Sequence, residues 1–171
     1  MTERAAAITL KGNPMTLVGP EIQVGQPAPD FTLRGQDLGE IKLSDFRGKV
    51  LVLVTVPSLD TPVCDTEVRR FNQDASGLGD DVVILTVSVD LPMAQKRWCG
   101  AAGVERVVTG SDYLDHSFGS TYGLRIKEVG LIARAVIVVD REGVVQHYQL
   151  VPEVADEPNY ETALQAARDL A

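Results

Sequence analysis

The stretch that decides the fold of this chain is Val50-Leu-Val-Leu-Val-Thr-Val-Pro-Ser-Leu-Asp-Thr-Pro-Val-Cys-Asp-Thr-Glu-Val-Arg-Arg70. Its first part, residues 50–56, is apolar and rich in β-branched side chains, which predicts a buried strand. After a turn the chain enters a predicted helix, with Thr61 as the N-cap and Pro62 as the first helical residue. Cys64 follows in the first turn, where free backbone N–H groups and the helix dipole favour an anion. A thiol at this position is shifted towards the thiolate, the form that attacks electrophiles.

The same helix supports a second interpretation of Cys64. Apolar residues recur along it at spacings of four and three, so Cys64 also lies on the face predicted to pack on the core. Free cysteine is among the most buried residue types in proteins. A structural cysteine and a reactive cysteine are therefore both compatible with this position. The residues of the apolar face are Cys64, Val68, Phe71, Ala75 and Leu78.

Length and charge narrow the class of protein. The chain has 171 residues, 44% of them hydrophobic, and a net charge of −8, which predicts one globular domain, residues 1–171. The acidic balance argues against nucleic acid and anionic membranes as partners. The N-terminal segment lacks the apolar core of a signal peptide and no segment is long enough to span a bilayer, so a cytoplasmic location is expected.

The few cysteines and histidines argue against a disulfide framework and against a metal site. The chain has two cysteines, Cys64 and Cys99, and no export signal is recognised in it. Thiols in the cytoplasm are kept reduced. A zinc site would need both cysteines together with His116 and His147, and none of these residues stands at a metal-ligand spacing from another. No metal and no other cofactor is therefore predicted.

Periodicity and turn residues predict the other elements. Residues 6–18 alternate around Gly12-Asn13, which predicts a β-hairpin with a two-residue turn. Short extended segments are expected at 31–33 and 41–43. The later predictions are strand 50–56, helix 62–77, strand 82–88, a helix from Pro92 to Cys99 ended by Gly100, strand 134–139, strand 144–150 and a helix from Asn159.

From residue 50 onwards this order, βαβαββα, predicts an α/β protein. Helices that connect strands predict parallel strands, and the short turn at 140–143 predicts an antiparallel pair. The order is that of the thioredoxin fold, a mixed sheet flanked by helices. An N-terminal β-hairpin extends it, and an irregular insertion is expected at about 101–133.

Several segments of the chain together resemble the peroxiredoxin family. Pro57-x-x-x-Thr61-x-x-Cys64 matches its active-site signature, and the longer string Val56-Pro-Ser-Leu-Asp-Thr-Pro-Val-Cys-Asp65 resembles its bacterial thiol peroxidase branch, an atypical two-cysteine type. Arg97-Trp-Cys99-Gly is similar to the resolving-cysteine segment of that branch. Gly130-Leu-Ile-Ala-Arg134-Ala-Val-Ile-Val-Val-Asp140 is similar to its active-site arginine strand. The resemblance covers almost the whole chain.

The resemblance implies a thiol-dependent peroxidase. Cys64 would reduce hydrogen peroxide and organic hydroperoxides and become a sulfenic acid, and Cys99 would resolve that acid as an intrasubunit disulfide. Thioredoxin would be the reductant, and a homodimer the assembly. From the residues alone, Cys99 is equally compatible with a buried helix cysteine. A disulfide needs Cα atoms within about 7 Å, so two cysteines on separate helices predict local unwinding when the bond forms.

Peroxide reduction requires more than an ionised thiol. Lowering a thiol pKa from about 8.5 to about 6 raises the thiolate fraction roughly thirtyfold at neutral pH, but the weaker nucleophile loses roughly tenfold in rate. Hydrogen-bond donors positioned around the reacting oxygens must supply the remaining rate enhancement. The candidates are the Thr61 hydroxyl, the N–H groups of Val63 and Cys64, and Arg134, which begins a strand beside the first one in a thioredoxin fold. Pro57 would shield the sulfur. A solvent-facing charge at Arg134 and a simple turn proline at Pro57 are the structural alternatives.

Two other functions are compatible with this scaffold. A thioredoxin-type disulfide oxidoreductase normally carries C-x-x-C at this helix start, and residue 61 is Thr61, which disfavours that function. A non-catalytic redox sensor or binding module is not excluded by the sequence, and peroxide turnover distinguishes it from a peroxidase.

Overall fold

The computed structural model describes residues 1–75, 77–103 and 107–171. These residues form a seven-stranded sheet, a three-stranded sheet and four α-helices. The strands are β1 (Glu3–Leu10), β2 (Asn13–Val18), β3 (Thr32–Arg34), β4 (Glu40–Lys42), β5 (Val50–Thr55), β6 (Val82–Ser88), β7 (Val107–Ser111), β8 (Arg125–Ile126), β9 (Ala135–Val139) and β10 (Val145–Leu150). The helices are α1 (Pro62–Ala75), α2 (Pro92–Ala102), α3 (Ser117–Thr121) and α4 (Tyr160–Leu170), with a short 3-10 helix at Leu43–Phe46. No helix within these ranges is both long and apolar enough to cross a bilayer.

The large sheet has the strand order β10-β9-β5-β6-β7-β3-β4. β5, β6 and β7 are parallel to one another, whereas β9 is antiparallel to β5 and β10 is antiparallel to β9. The four strands β6-β5-β9-β10 with their helices form the thioredoxin fold, so the predicted fold class is confirmed. The hairpin β1–β2 and the short β8 form the separate sheet, in the order β1-β2-β8.

The central strand β5 is buried on both faces. Val50, Val52 and Val54 pack in a cluster with residues of α1 and α4, whereas Leu51 and Leu53 pack in a second cluster with residues of the small sheet. Because successive side chains of a strand point to opposite faces, a strand covered on both sides must be apolar throughout. Burying each such side chain contributes roughly 1.5–3 kcal/mol, which explains why residues 50–56 predict the centre of the fold.

The insertion at 101–133 is not irregular as expected. It contains β7, α3 and β8, and β7 extends the large sheet beside β6. The strand was missed because Val107-Val-Thr-Gly-Ser111 is short, and half of it is small or polar. Residues 104–106 of this insertion lie outside the described residues. The parallel connection predicted after the second helix therefore leads to β7, and not to the strand at 134–139.

The antiparallel direction of β9 positions the candidate site. Thr55, the last residue of β5, pairs with Ala135, the first residue of β9. Arg134 consequently lies at the end of the sheet where β5 stops and the chain proceeds to α1. A parallel β9 would have placed Arg134 at the opposite end of the strands, a full strand length away from Cys64.

The N-terminal hairpin is confirmed, with its turn one residue earlier than predicted. Leu10 pairs with Asn13, so the turn residues are Lys11 and Gly12, whose φ angles are 50° and 80°. Two positive φ angles are typical of the type I′ turn, whose twist matches that of the adjoining strands.

The predicted helix boundaries differ in accuracy. The last helix was predicted from about Asn159, and α4 begins at Tyr160 with Asn159 as its N-cap, because the Asn159 side-chain oxygen accepts a hydrogen bond from the Thr162 N–H at 3.1 Å. Helix α1 begins at Pro62 as predicted and is described as far as Ala75. Residue 76 of the predicted helix lies outside the described residues, and residue 77 belongs to a turn.

The end of α2 was predicted wrongly. The helix continues through Gly100 to Ala102 and ends at Gly103, whose φ is 70°. Glycine inside a helix costs stability but does not end it, whereas a residue in the left-handed conformation does. The Gly103 N–H donates to the Cys99 carbonyl and closes the last turn.

These two glycines should respond oppositely to alanine. Gly100→Ala should stabilise the protein by about 0.5–1 kcal/mol, because alanine is the better helix former and a Cβ at this position meets open space. Gly103→Ala should destabilise it by about 1 kcal/mol, because alanine is disfavoured at positive φ. Urea unfolding of the reduced protein measures both. Equal effects of the two substitutions would contradict the observed helix end.

Candidate active site

Cys64 lies in the first turn of α1 and is fully buried. Thr61 is the N-cap as predicted: its Oγ1 accepts a hydrogen bond from the Cys64 N–H at 3.3 Å and donates one to the Ser58 carbonyl at 3.2 Å. The Cys64 amide is therefore capped by Thr61, and the expectation that it is free to bind a substrate was wrong. Pro57 is buried in the turn that leads from β5 to this cap.

The apolar face of α1 also agrees with its predicted burial. Cys64, Val68 and Phe71 have no exposed surface, and Leu78 beyond the helix is 6% exposed. The side chain of Ala75, the other predicted member, lies outside the description. Burial alone is thus what the structural interpretation of Cys64 expects, and the polar groups around its sulfur must distinguish the two interpretations.

A guanidinium contacts the sulfur of Cys64. The Nη2 of Arg134 donates a hydrogen bond to Cys64 Sγ at 3.1 Å, and only 1% of the Arg134 surface is exposed. The side chain therefore points into the protein and does not reach solvent. Two residues 70 positions apart in sequence meet in this way because β9 is antiparallel to β5.

Every nitrogen of the guanidinium is used. Nε of Arg134 donates to the Val154 carbonyl at 2.9 Å, Nη1 donates to Glu67 Oε2, and Nη2 donates to Cys64. The planar fork of arginine can serve three directions without losing its orientation. The Val154 carbonyl and the Glu67 carboxylate thus aim the third N–H group at the sulfur.

Glu67 is the site residue that the sequence analysis missed. It lies one helical turn after Cys64 on the same face of α1, is completely buried, and forms an ion pair with Arg134. Its Oε1 has no hydrogen-bond partner within the described part of the chain. The available signal was a glutamate directly before Val68, inside an apolar face where an unpaired carboxylate is costly.

Burial dominates the electrostatics of this cluster. It raises the pKa of Glu67 from an ordinary 4.5 to about 7, although the positive charge of Arg134 opposes the change and Glu157 adds to it. Burial alone would lower the pKa of Arg134, but Glu67 and Cys64 raise it. One cation therefore faces two groups that can be anions. Because an unpaired buried charge costs several kcal/mol, ionised Glu67 and ionised Cys64 compete for the same guanidinium.

Cys99 has different polar neighbours from Cys64. It is 8% exposed on α2, and burial raises the pKa of its thiol, while hydrogen bonds with Gln36 and Thr109 oppose the change. Gln36 Nε2 in turn donates to Thr109 Oγ1 at 2.8 Å. Both cysteines are free thiols, each with its own polar partners, and the structure does not join Cys99 to Cys64.

The helices that carry the two cysteines are nevertheless in contact. Trp98 Nε1 donates to Asp65 Oδ1 at 3.0 Å, so the residue before Cys99 is bonded to the residue after Cys64. The Arg69 guanidinium bonds the other Asp65 oxygen at 2.9 Å and lies 5.7 Å from the centre of the Trp98 ring. Within the described ranges, no three histidine, cysteine or acidic side chains come together as a possible metal site.

The chain is similar to known proteins over nearly its whole length. A family model described as Redoxin matches residues 23–164. The chain is 51% identical over 161 residues to a thiol peroxidase of Listeria innocua, which covers 94% of this chain and 97% of that protein. It is 50% identical over 165 residues to a thiol peroxidase of Bacillus subtilis, covering 96% and 98%. A crystal structure of a peroxiredoxin-like protein from Aquifex aeolicus matches with a TM-score of 0.91 and 43% identity, covering 98% of this chain and 99% of that one.

The burial of Glu67 predicts a pH-dependent stability. Its pKa is raised to about 7, so between pH 4.5 and 7 the folded protein holds a proton that the unfolded chain has released. That contribution is complete below about pH 4.5 and is lost as the pH rises to 7. Relative to Glu67→Gln, the wild type should therefore lose about 3 kcal/mol of unfolding free energy between these limits.

Urea unfolding of the reduced proteins at a series of pH values measures this difference. The exposed Glu142 provides the control, since Glu142→Gln should leave the pH dependence of the wild type unchanged. Parallel pH profiles for wild type and Glu67→Gln would show that Glu67 ionises equally well in the folded and unfolded states.

Proposed function

This chain belongs to the Redoxin family, among its peroxiredoxin-type thiol peroxidases, and on this premise we propose that Cys64 is its peroxidatic cysteine and Cys99 its resolving cysteine. The substrates are hydrogen peroxide and organic hydroperoxides. One observation carries the proposal: the buried Arg134 donates a hydrogen bond to Cys64 Sγ at 3.1 Å. A structural cysteine needs no buried cation at its sulfur.

The first step is nucleophilic attack by the Cys64 thiolate on one peroxide oxygen. The S–O bond forms as the O–O bond breaks, and the leaving oxygen takes up a proton and departs as water or an alcohol. Cys64 is oxidised to a sulfenic acid, and the peroxide is reduced. Negative charge moves from sulfur onto both oxygens during the step, so donors near the sulfur stabilise the transition state.

Arg134 is the principal donor in this proposal. A more acidic thiol alone gains only about two- to threefold in rate, because thiolate fraction and nucleophilicity change in opposite directions. A preoriented guanidinium in a buried site forms a charge-assisted hydrogen bond that strengthens as charge develops on oxygen. Thr61 fixes the first turn of α1 through its hydroxyl, which accepts from the Cys64 N–H, and Pro57 shapes the turn before it.

The second step forms a disulfide between Cys64 and Cys99. The Cys99 thiolate attacks the sulfenic acid sulfur, the S–O bond breaks, and water leaves. Burial raises the pKa of the Cys99 thiol and outweighs the opposing hydrogen bonds with Gln36 and Thr109, so Cys99 ionises more readily once unwinding exposes it to water. Local unwinding therefore brings the cysteines together and also activates the second one.

The oxidised form is stabilised against complete unfolding. The bond between Cys64 and Cys99 closes a loop of 36 residues, which restricts the unfolded chain by roughly 4 kcal/mol in the chain-entropy model. That constraint offsets the loss of a helical turn. A dithiol protein of the thioredoxin type then reduces the disulfide. We further propose a cytoplasmic homodimer.

The two cysteines should differ when each is replaced by serine. Cys64→Ser should abolish peroxide reduction, because the attacking sulfur is missing. Cys99→Ser should consume one equivalent of peroxide and stop at the Cys64 sulfenic acid. Consumption of hydrogen peroxide and cumene hydroperoxide with thioredoxin, thioredoxin reductase and NADPH measures turnover, and dimedone labelling detects the sulfenic acid. A sulfenic acid on Cys99 in the Cys64→Ser variant would exchange the two roles.

Arg134 should act on the transition state as well as on ionisation. Arg134→Met should slow peroxide reduction by about a hundredfold, even at a pH where the Cys64 thiol is fully ionised. The variant also leaves Glu67 without its cation, so Arg134→Met combined with Glu67→Gln separates the two effects and should remain slow. The exposed Arg168 serves as the control, with wild-type rates for Arg168→Met. Recovery of the wild-type rate at high pH would limit Arg134 to ionising the thiol.

A further inference from the structure

Asp90 lies between the two parts of the chain that carry the cysteines. It follows β6 and precedes the first turn of α2, the helix of Cys99. Its carboxylate does not cap α2 but points to the turn that precedes α1, the helix of Cys64. Oδ1 accepts a hydrogen bond from Ser58 Oγ at 2.7 Å, and Oδ2 accepts one from the Leu59 N–H at 2.8 Å.

The hydrogen bonds of Asp90 continue to the backbone N–H of Cys64. The Ser58 carbonyl accepts from Thr61 Oγ1 at 3.2 Å, and Thr61 Oγ1 accepts from the Cys64 N–H at 3.3 Å. The carboxylate therefore holds the turn, the turn holds the N-cap, and the N-cap holds the first turn of α1.

The other end of this network is anchored in buried structure. Ser88 Oγ donates to Asp90 Oδ2 at 2.7 Å. Gln95 of α2 is fully buried and donates from Nε2 both to Ser88 Oγ and to the Gly110 carbonyl, each at 3.0 Å. The Asp90 carbonyl accepts from Ser111 Oγ. Strands β6 and β7 and helix α2 thus fix the position of the carboxylate.

A second contact joins the two helices through Trp98 of α2 and Asp65 of α1. Asp65 is also paired with Arg69, whose side chain is 49% exposed, so solvent screens this ion pair. The donors to Asp90 lie in the turn before the Thr61 cap, and one of them is a backbone N–H. Asp90 therefore acts directly on the turn on which the cap of α1 rests, whereas Asp65 connects the helices beyond that cap.

We propose that Asp90 is a positioning residue that holds the first turn of α1 closed and thereby sets how fast the Cys64 sulfenic acid reaches Cys99. The inference rests on the proposed function of the two cysteines. It adds a residue that touches neither peroxide nor sulfur. Its bonds to Ser58 and Leu59 fix the turn before α1, and the Thr61 cap of the Cys64 turn is itself bonded to Ser58, so these bonds oppose unwinding of the Cys64 turn.

This closure decides between two fates of the sulfenic acid. Cys99 converts it to a disulfide and releases water. A second hydroperoxide instead transfers an oxygen atom to the sulfur, which becomes a sulfinic acid, while the hydroperoxide leaves as water or an alcohol. A turn that opens more often favours the disulfide and protects the enzyme from the second oxidation.

Asp90→Asn is the test, because the amide keeps the size of the side chain but replaces one acceptor oxygen by a donor. Losing one hydrogen bond to a charged group changes an equilibrium constant by roughly tenfold. The closed turn still predominates, so the rate of peroxide attack should stay within about twofold of wild type. Disulfide formation should become roughly tenfold faster, and sulfinic acid at a given peroxide concentration roughly tenfold less frequent. Ser58→Ala removes one bond only and should act in the same direction, more weakly.

The chain offers a matched control in Asp140. The Asp140 side chain, like that of Asp90, accepts three hydrogen bonds, from Glu142 N, Val144 N and Gln146 Nε2 at 2.8–2.9 Å. It lies in the β9–β10 turn, at the opposite end of the strands from the site. Asp140→Asn should lower global stability without changing either rate. Acid quenching after a pulse of hydrogen peroxide, followed by mass spectrometry, measures sulfenic acid, disulfide and sulfinic acid together.

Amide exchange in the reduced protein gives a readout independent of the chemistry. The Leu59 and Cys64 N–H groups should exchange roughly tenfold faster in Asp90→Asn, and at the wild-type rate in Asp140→Asn. Unchanged exchange, an unchanged disulfide rate, an equal effect of Asp140→Asn, or greatly slowed peroxide attack would each overturn the proposal. If amide exchange is faster in Asp90→Asn but neither variant nor wild type forms a disulfide, Asp90 stabilises the turn as proposed, and the proposed role of Cys99 is wrong.

Discussion

The buried guanidinium of Arg134 is the interaction on which the site depends. A cation inside a protein is stable only when its N–H groups are paired, and here a carbonyl, a carboxylate and a sulfur take all three directions. These partners come from α1 and from the segment after β10, and the antiparallel course of β9 brings the arginine to them. The cation thus connects the start of β9, the helix of Cys64 and the segment after β10.

The charge balance of this cluster serves reactivity more than stability. Glu67 orients Arg134, but its own pKa is raised to about 7 because the site is dry, and its second oxygen lacks a partner among the described residues. Buried ion pairs of this kind contribute little net free energy to folding. What this pair provides is a fixed donor at the Cys64 sulfur, which carries charge in the proposed mechanism. The site accepts a cost in stability, consistent with a guanidinium held ready for a reacting oxygen.

The two cysteines are held apart by separate polar networks. Cys64 is held by Thr61 and Arg134, whereas Cys99 rests on α2 against Gln36 and Thr109. In the proposed mechanism, peroxide attack requires the first arrangement to be rigid, and the disulfide requires both to open. The partly buried contact of Trp98 with Asp65 keeps the helices side by side, so the unwinding proposed here is confined to the helix ends. A fold with one fixed arrangement would perform only one of the two steps.

The sequence by itself determined the local features of this protein. The apolar run 50–56, the Thr61 cap and the start of the last helix near Asn159 follow from interactions within a few residues, and the element order with its motifs was sufficient for the thioredoxin fold and the peroxiredoxin resemblance. Only the tertiary structure decided that β9 is antiparallel to β5, that β7 joins the sheet, that α2 ends at Gly103, and that Glu67 is the partner of Arg134. Strand direction and buried ion pairs depend on which distant segments of the chain come into contact. Hydrophobic periodicity along the chain does not specify these contacts.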